Sequence, residues 1–189
     1  FKGLLPVLIS GGCICLLILL EPNLSVTLCV GMVMIAMLFV GGIKLKHFML
    51  IAIPALLMLP VLIIIEPYRL QRLTAFLNPW ANPQEEGFQL IQSLYSLGSG
   101  GLFGVGLFNS RQKYLFLPFS ESDFIFSIIG EEFGFVGCVV LCLLYILLIY
   151  EGIKIAYNAN DRLGGYLAFG ITAVLSAQLL INIAVVTGS

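Results

Sequence analysis

The chain has 189 residues, 60% of them hydrophobic and only 10% charged, and its mean hydropathy is +1.08. Soluble domains carry roughly 25% charged residues, so this composition excludes an ordinary water-soluble globule and points to an all-α, polytopic integral membrane protein. A formal net charge of −1 also excludes a basic nucleic-acid surface.

Uncharged runs at 3–20, 24–43, 48–65, 133–150 and 164–189 each reach or approach the ~20 apolar residues needed to cross the hydrocarbon. They predict five spanning helices in a single transmembrane domain over 1–189, with one long extracytoplasmic loop at 66–122. The first run does not read as a signal peptide. Only Lys2 precedes it, there is no initiating Met, and no small-residue cleavage pattern leads into Glu21-Pro22. A chain that opens on Phe1 and stops at Ser189 inside an apolar run is expected to be a piece of a longer protein. All five cysteines lie within apolar runs without metal-ligand or CxxC spacing, where they behave as small hydrophobes.

In chain order, the first helix carries Pro6 and Gly11-Gly12 and ends at the turn Glu21-Pro22-Asn23. The second runs to Gly41-Gly42 and a short loop with Lys44, Lys46 and His47, whose cations mark the cytoplasmic side. His47 has no second ligand nearby in sequence and reads as a solvated loop residue. The third helix contains Pro54 and Pro60 and ends at Glu66-Pro67. By alternation both Glu-Pro pairs emerge on the outer face, either as helix stops or as acids close to a site. Lys154 and Arg162 return to the inner side. The four cations of the outer connector weigh little against this, because connectors approaching ~60 residues count weakly in that rule.

The connector is not a linker by composition. Within GFQLIQSLYSLG (87–98) the apolar residues Phe88, Ile91, Leu94, Tyr95 and Leu97 fall near helical spacing, while Gln89, Gln92, Ser93 and Ser96 are polar. That pattern predicts an amphipathic helix in the membrane interface, with Trp80 at headgroup level. The glycines of GSGGLFGVG (98–106) invite a phosphate-loop reading, but the dinucleotide fingerprint needs a strand before and a helix after, in a βαβ unit. Close backbone packing and positive φ account for them better, with N–H groups available to line an anionic pocket.

The remaining charges are concentrated. RQKYLFLPFSESDFIFSIIGEEFGFVG (111–137) sets Arg111, Lys113, Glu121 and Asp123 just ahead of an apolar run and places Glu131 and Glu132 inside it. Ionisable groups there are costly unless they face protein, water or substrate, which makes this stretch the candidate functional site. Asp123 falls at a helix start, where a carboxylate can act as N-cap or do chemistry at the membrane surface. At ~100° per residue, Glu131 lies roughly 80° around the helix from Asp123 and Glu132 roughly opposite, so they do not all share one cavity. One is expected to face the cavity and the other a neighbouring helix, with Gly130, Gly134 and Gly137 allowing close approach. Arg69, Arg72, Arg111 and Lys113 place four cations near one membrane face. Each is either a headgroup anchor or part of a pyrophosphate clamp, a task to which bidentate guanidinium geometry is suited.

The longer motifs are recognisable. RLTAFLNPWANPQEEGFQLIQSLYSLGSGGLFGVGLFNSRQKYLFLP followed by SDFIFSIIGEEFGFVG closely resembles the SEDS family of shape, elongation, division and sporulation proteins, the RodA, FtsW and SpoVE relatives. The likeness extends to Glu21-Pro22-Asn23-Leu24 and to Asn182, Thr187 and Gly188. Ser110-Arg111-Gln112-Lys113 is closer to the division and sporulation branch than to the elongation branch. The resemblance implies a multi-pass protein of the bacterial inner membrane, of which this chain would hold the fifth to the ninth helix. It also implies a peptidoglycan glycosyltransferase that polymerises lipid II and works with a class B penicillin-binding protein, a transpeptidase. The family's essential acid, in an Asp-Phe-Ile-Phe motif, falls on Asp123.

Two departures stand out. Where the family commonly has Leu-Pro-Glu, a small residue and His-Thr before the Asp, this chain has Leu117-Pro118-Phe119-Ser120-Glu121-Ser122. No histidine therefore stands beside the acid, and Glu121 either acts on Asp123 by like-charge proximity or helps to hold a cation. Asn23 replaces the usual Asp of the first turn.

On that resemblance Asp123 is expected to act as general base on a sugar hydroxyl of the acceptor lipid II. Undecaprenyl pyrophosphate leaves from the anomeric carbon of the growing strand, with inversion. Arg69, Arg72, Arg111 and Lys113, with Glu121 and Glu131, are the expected substrate-binding residues, the cations stabilising the leaving charge. No cofactor is assigned, and a divalent cation, Mg2+ or Mn2+, bridging pyrophosphate and acids is an open alternative. Two other functions fit the same features. One is a lipid II flippase, because kinked helices with acids at mid-depth also serve transporters, and the other is a scaffold that recruits the transpeptidase.

Overall fold

The structure, a computed structural model, describes residues 4–21, 24–65, 67–84, 87–115 and 123–188. Among them the secondary structure is all-helical: α1 (Leu4–Leu20), α2 (Leu24–Val40), α3 (Leu45–Ile65), α4 (Pro67–Leu77), a 3-10 turn at Pro79–Ala81, α5 (Phe88–Gly100), α6 (Arg111–Leu115), α7 (Ile125–Tyr157) and α8 (Arg162–Thr187). Helices cover most of each of the five apolar runs where they are described, with Gly41, Gly42, Ile43 and Gly188 outside them, as expected for segments whose backbone polar groups must be satisfied internally. Of these, α7 and α8 are long and apolar enough to cross a membrane, while α1 to α3 contribute shorter apolar stretches.

Helix α7 outruns its uncharged stretch at both ends. At the far end it continues through Glu151 and Lys154, whose exposed ion pair at 3.2 Å adds about 0.3–0.5 kcal/mol. Its last turn closes with the N–H of Asn158 on the Lys154 carbonyl at 3.0 Å. The next helix is started by Asp161, whose carboxylate accepts the Gly164 N–H at 2.9 Å and so caps α8.

The chain divides into two compact units, Phe1–Pro54 with Leu148–Ile181 and Ala55–Leu147 with Asn182–Ser189. In the first, α1 packs along α2 with Gly11 against Met34, and Gly152 of α7 receives Thr172 of α8. In the second, Phe124, Phe126, Ile128, Cys138 and Val186 form a buried core that Leu97, Leu141 and Ile183 surround. The second unit also contains the described part of the long connector.

Within it α5 forms where the amphipathic pattern places a helix, but its faces are assigned differently by the fold. Leu90 and Ile91 are buried, and so are Ser93 and Ser96, which the sequence pattern puts on the water side. Tyr95 is exposed instead, edge-on to Trp80 with centroids 5.9 Å apart. The serines turn inward because acceptors from distant parts of the chain wait there. Ser93 Oγ donates to the Val186 carbonyl at 2.9 Å, which ties α5 to the last turn of α8.

Candidate active site

Asp123 lies in the turn that leads into α7, and its side chain is exposed. The residues after it hold the turn down. Phe124, Phe126 and Ile128 are buried in the core, and the Phe124 carbonyl accepts both the N–H (3.0 Å) and the Oγ (2.6 Å) of Ser127. From α8, the side-chain amide of Asn182 donates to the Asp123 carbonyl at 3.0 Å. The peptide is thus fixed while the carboxylate stays open. Among the described residues no hydrogen bond to that carboxylate caps α7, and the bond from Asn182 reaches the Asp123 backbone.

Glu131, only 3% exposed, stands about 9 Å along α7 from its first residue, Ile125. A buried carboxylate is tolerated only when it is hydrogen-bonded, and here three donors serve it. Ser110 Oγ donates to Oε2 at 2.5 Å, Ser96 Oγ lies 3.2 Å from the same oxygen, and the Arg111 N–H donates to Oε1 at 3.0 Å. Ser96 Oγ is also 2.9 Å from the Ser127 carbonyl, so its single proton is shared between two acceptors. Ser110 Oγ in turn accepts the N–H of Lys113 at 3.0 Å. This knot joins α5, α7 and the start of α6, and it sets the backbone from which Arg111 projects, exposed, and Lys113, partly buried. Its neighbour Glu132 is also buried, with Oε1 unpartnered among the described residues, as is Oε1 of Gln112.

The glycine-rich loop closes onto the same region. At Gly134 the helix is broken (φ 70°, ψ −168°), which frees two carbonyls before the break and two N–H groups after it. The loop takes all four. Val105 and Gly106 donate to the carbonyls of Glu131 (2.9 Å) and Glu132 (3.1 Å), while Phe135 and Val136 donate to those of Gly101 (2.9 Å) and Leu102 (3.1 Å). Only glycine fits at 134: the φ is positive, and a Cβ there would overlap the backbone nitrogen of Gly104. Gly134 therefore admits a loop rather than a neighbouring helix. The N–H groups of Gly104, Val105 and Gly106 are used inside the protein, the first on the Gly100 carbonyl at 2.8 Å, and are not left to line an anionic pocket.

Of the residues expected to bind substrate, the fold brings Arg111, Lys113 and Glu131 together around the knot. The carboxylate of Glu131 points into protein rather than into an open cavity. Arg69 and Arg72 lie on α4, and their side chains fall outside the described atoms. Glu121 falls outside the described residues. Ser96, Ser110 and Asn182 carry positioning bonds that the site reading of the sequence did not assign. The available signal was a lone amide or hydroxyl in an apolar helix, which is costly unless bonded. Among the described residues no three His, Cys, Asp or Glu side chains converge as metal ligands.

This helical architecture, with a fixed acid at the head of a membrane-length helix, can be placed by comparison. A family model described as cell cycle protein, FTSW_RODA_SPOVE, matches residues 1–189, and the chain belongs to that family. Over 174 residues it is 45% identical to stage V sporulation protein E of Bacillus subtilis (strain 168), covering 92% of this chain and 47% of that protein. Over 190 residues it is 44% identical to a probable peptidoglycan glycosyltransferase FtsW of Coxiella burnetii, covering 99% of this chain and 51% of that one. These are division and sporulation relatives, the branch to which Ser110-Arg111-Gln112-Lys113 points. A solved chain from work on structural coordination of polymerization and crosslinking by a peptidoglycan synthase complex superposes with a TM-score of 0.69 at 27% identity. That match covers 97% of this chain and 50% of the solved one. The chain spans about half the length of the curated relatives it matches.

Proposed function

We propose that this chain forms the catalytic region of a peptidoglycan glycosyltransferase that polymerises lipid II in cell division or sporulation. The observation that carries the reading is the state of Asp123. Its peptide is gripped by Asn182 and by the buried residues that follow, while its carboxylate is open to whatever approaches the head of α7. That is what a general base needs.

Asp123 takes the proton from the acceptor sugar hydroxyl as that oxygen attacks the anomeric carbon of the growing strand. The bond from that carbon to undecaprenyl pyrophosphate breaks, and the pyrophosphate leaves with the electron pair. Inversion needs one base and no covalent intermediate. Arg111 and Lys113, with Arg69 and Arg72 from α4, stabilise the leaving diphosphate. Glu131 serves binding by fixing the backbone of Ser110 and Arg111, and Glu121 adds a second acid two residues before the base. A divalent cation, Mg2+ or Mn2+, would supply further neutralisation of the diphosphate, and Asp123 with Glu121 are the residues that would hold it.

In this reading α1, α2, α3, α7 and α8 are five spans of the bacterial inner membrane, with 66–122 on the extracytoplasmic side and α5 at the outer interface. Trp80 and Tyr95, exposed and in mutual contact, suit headgroup level. A class B penicillin-binding protein is the proposed partner, a reading supported by the likeness to a complex that coordinates polymerization with crosslinking. The rival, a lipid II flippase, draws on discontinuous helices, yet the break in α7 is closed by the protein's own loop.

The test uses the full-length protein purified in detergent, where flipping has no meaning. Given lipid II, it is expected to make glycan polymer, and Asp123→Asn to reduce the rate by about 10²–10⁴-fold. Polymer made at the wild-type rate by Asp123→Asn ends the base assignment. A wild-type protein that makes none in detergent but moves lipid II across vesicles is the transporter.

A further inference from the structure

We infer that residues 101–108 form a membrane-dipping element, an apolar loop clasped to α7 whose side chains insert among lipid acyl chains at the outer edge of the bilayer. The inference rests on the reading of α7 as a spanning helix and goes beyond it.

The loop displays Leu102, Phe103, Val105, Leu107 and Phe108 to the outside, Phe103 being 81% and Phe108 73% exposed. A contiguous apolar display of this kind marks an interaction surface on a protein in water. It cannot fold away, because four backbone hydrogen bonds hold the loop to α7 between Glu131 and Val136. Those bonds also fix its height. The uncharged stretch 133–150 measures ~27 Å at 1.5 Å per residue, close to the ~30 Å of the hydrocarbon layer. The bonds from Val105 and Gly106 reach Glu131 and Glu132, just outside that stretch, whereas Gly101 and Leu102 meet Phe135 and Val136 just inside it. The loop therefore straddles the boundary, with Leu102 and Phe103 at its deeper end.

Three features select lipid as the occupant. Phe133, Phe135 and Val136 on α7 are exposed and apolar as well, and the last two are bonded to the loop through their backbone N–H groups. Part of the loop's backbone is satisfied within the protein, which lowers the cost of placing it beside lipid: the N–H groups of Gly104, Val105, Gly106 and Asn109 and the carbonyls of Gly100, Gly101 and Leu102 are bonded there. Polarity returns at once beyond it, with Asn109 and Arg111 exposed on the side of the candidate active site. A protein partner would be expected to find a polar rim to bond, and between 102 and 108 every exposed side chain is apolar.

The experiment places the full-length wild-type protein in vesicles of phosphatidylethanolamine and phosphatidylglycerol doped with a phospholipid carrying a diazirine on its acyl chain. After illumination, adducts are mapped by mass spectrometry. Residues 102–108 are expected to be labelled as heavily as the α7 segment around Leu144, and several-fold more than Tyr157 and the polar turn after it. Labelling at Leu144 without labelling of the loop, whether the loop faces water or a protein partner, overturns the inference and leaves the reading of α7 intact. Labelling at neither site overturns both. A Phe103→Asp variant sharpens the result: it should lose loop adducts while keeping those at Leu144, and undiminished loop labelling would count against insertion.

Discussion

The two compact units differ in how they handle the same difficulty, polar groups in an apolar chain. In the first, Ser10, Thr172, Ser176 and Lys154 bond to partners three or four residues away along their own helices. In the second, local bonds such as Ser127 to Phe124 are joined by side-chain bonds that cross long stretches of sequence: Ser93 to Val186, Asn182 to Asp123, and Ser96 and Ser110 to Glu131. Local bonding lets a helix satisfy itself and leaves its placement to packing. Long-range bonding makes placement itself a condition of satisfaction, because a buried donor that loses its partner costs about 1–3 kcal/mol. Asp123, the proposed base, is held where the second strategy is used.

That contrast can be broken by substitution. The largest effect on stability is expected from Glu131→Ala, which strands the Ser110 hydroxyl and the Arg111 N–H and leaves Ser96 only the Ser127 carbonyl. A loss of about 3 kcal/mol should appear in denaturation of the purified protein, with Glu131→Gln losing roughly half as much. Next comes Gly134→Val, where a β-branched residue at positive φ collides with the loop. About 2 kcal/mol should be lost, with faster proteolysis within 101–108. Asn182→Leu should cost about 1 kcal/mol and lower kcat at little-changed KM, because it loosens the peptide of Asp123 without touching the carboxylate. Ser176→Ala, in the first unit, should stay within about 0.5 kcal/mol. If Glu131→Ala proves as mild as Ser176→Ala in the same melt, the distinction between the units collapses.

The same contrast explains what could be read ahead of the fold. Apolar runs report α1, α2, α3 and α8 well, since helix formation there depends on local composition. The place of Asp123 just ahead of α7 is legible because it stands at a boundary between polar and apolar sequence. The exclusion of a nucleotide loop also follows from local context, and backbone packing is what the glycines serve. Periodicity misplaces Ser93 and Ser96, because it assumes that polar residues seek water and the acceptors of these two lie 31 to 93 residues away. Helical spacing separates Glu131 from Glu132 but does not say which one is tied down. That depends on Ser110, a loop residue with no period at all. The break at Gly134 is invisible to hydropathy, which runs unchanged through FGFVG.

The bond from Ser93 to the Val186 carbonyl bears on the order of assembly during synthesis. Chains emerge from their N-terminal end, so α5 is complete well before its partner on α8 has been translated. Until Val186 arrives the Ser93 hydroxyl has no native acceptor, and the closure of a loop this long is entropically slow. The second unit accordingly matures only after the end of α8 is made, and a ribosome stalled within α8 would leave Asp123 in place but untethered.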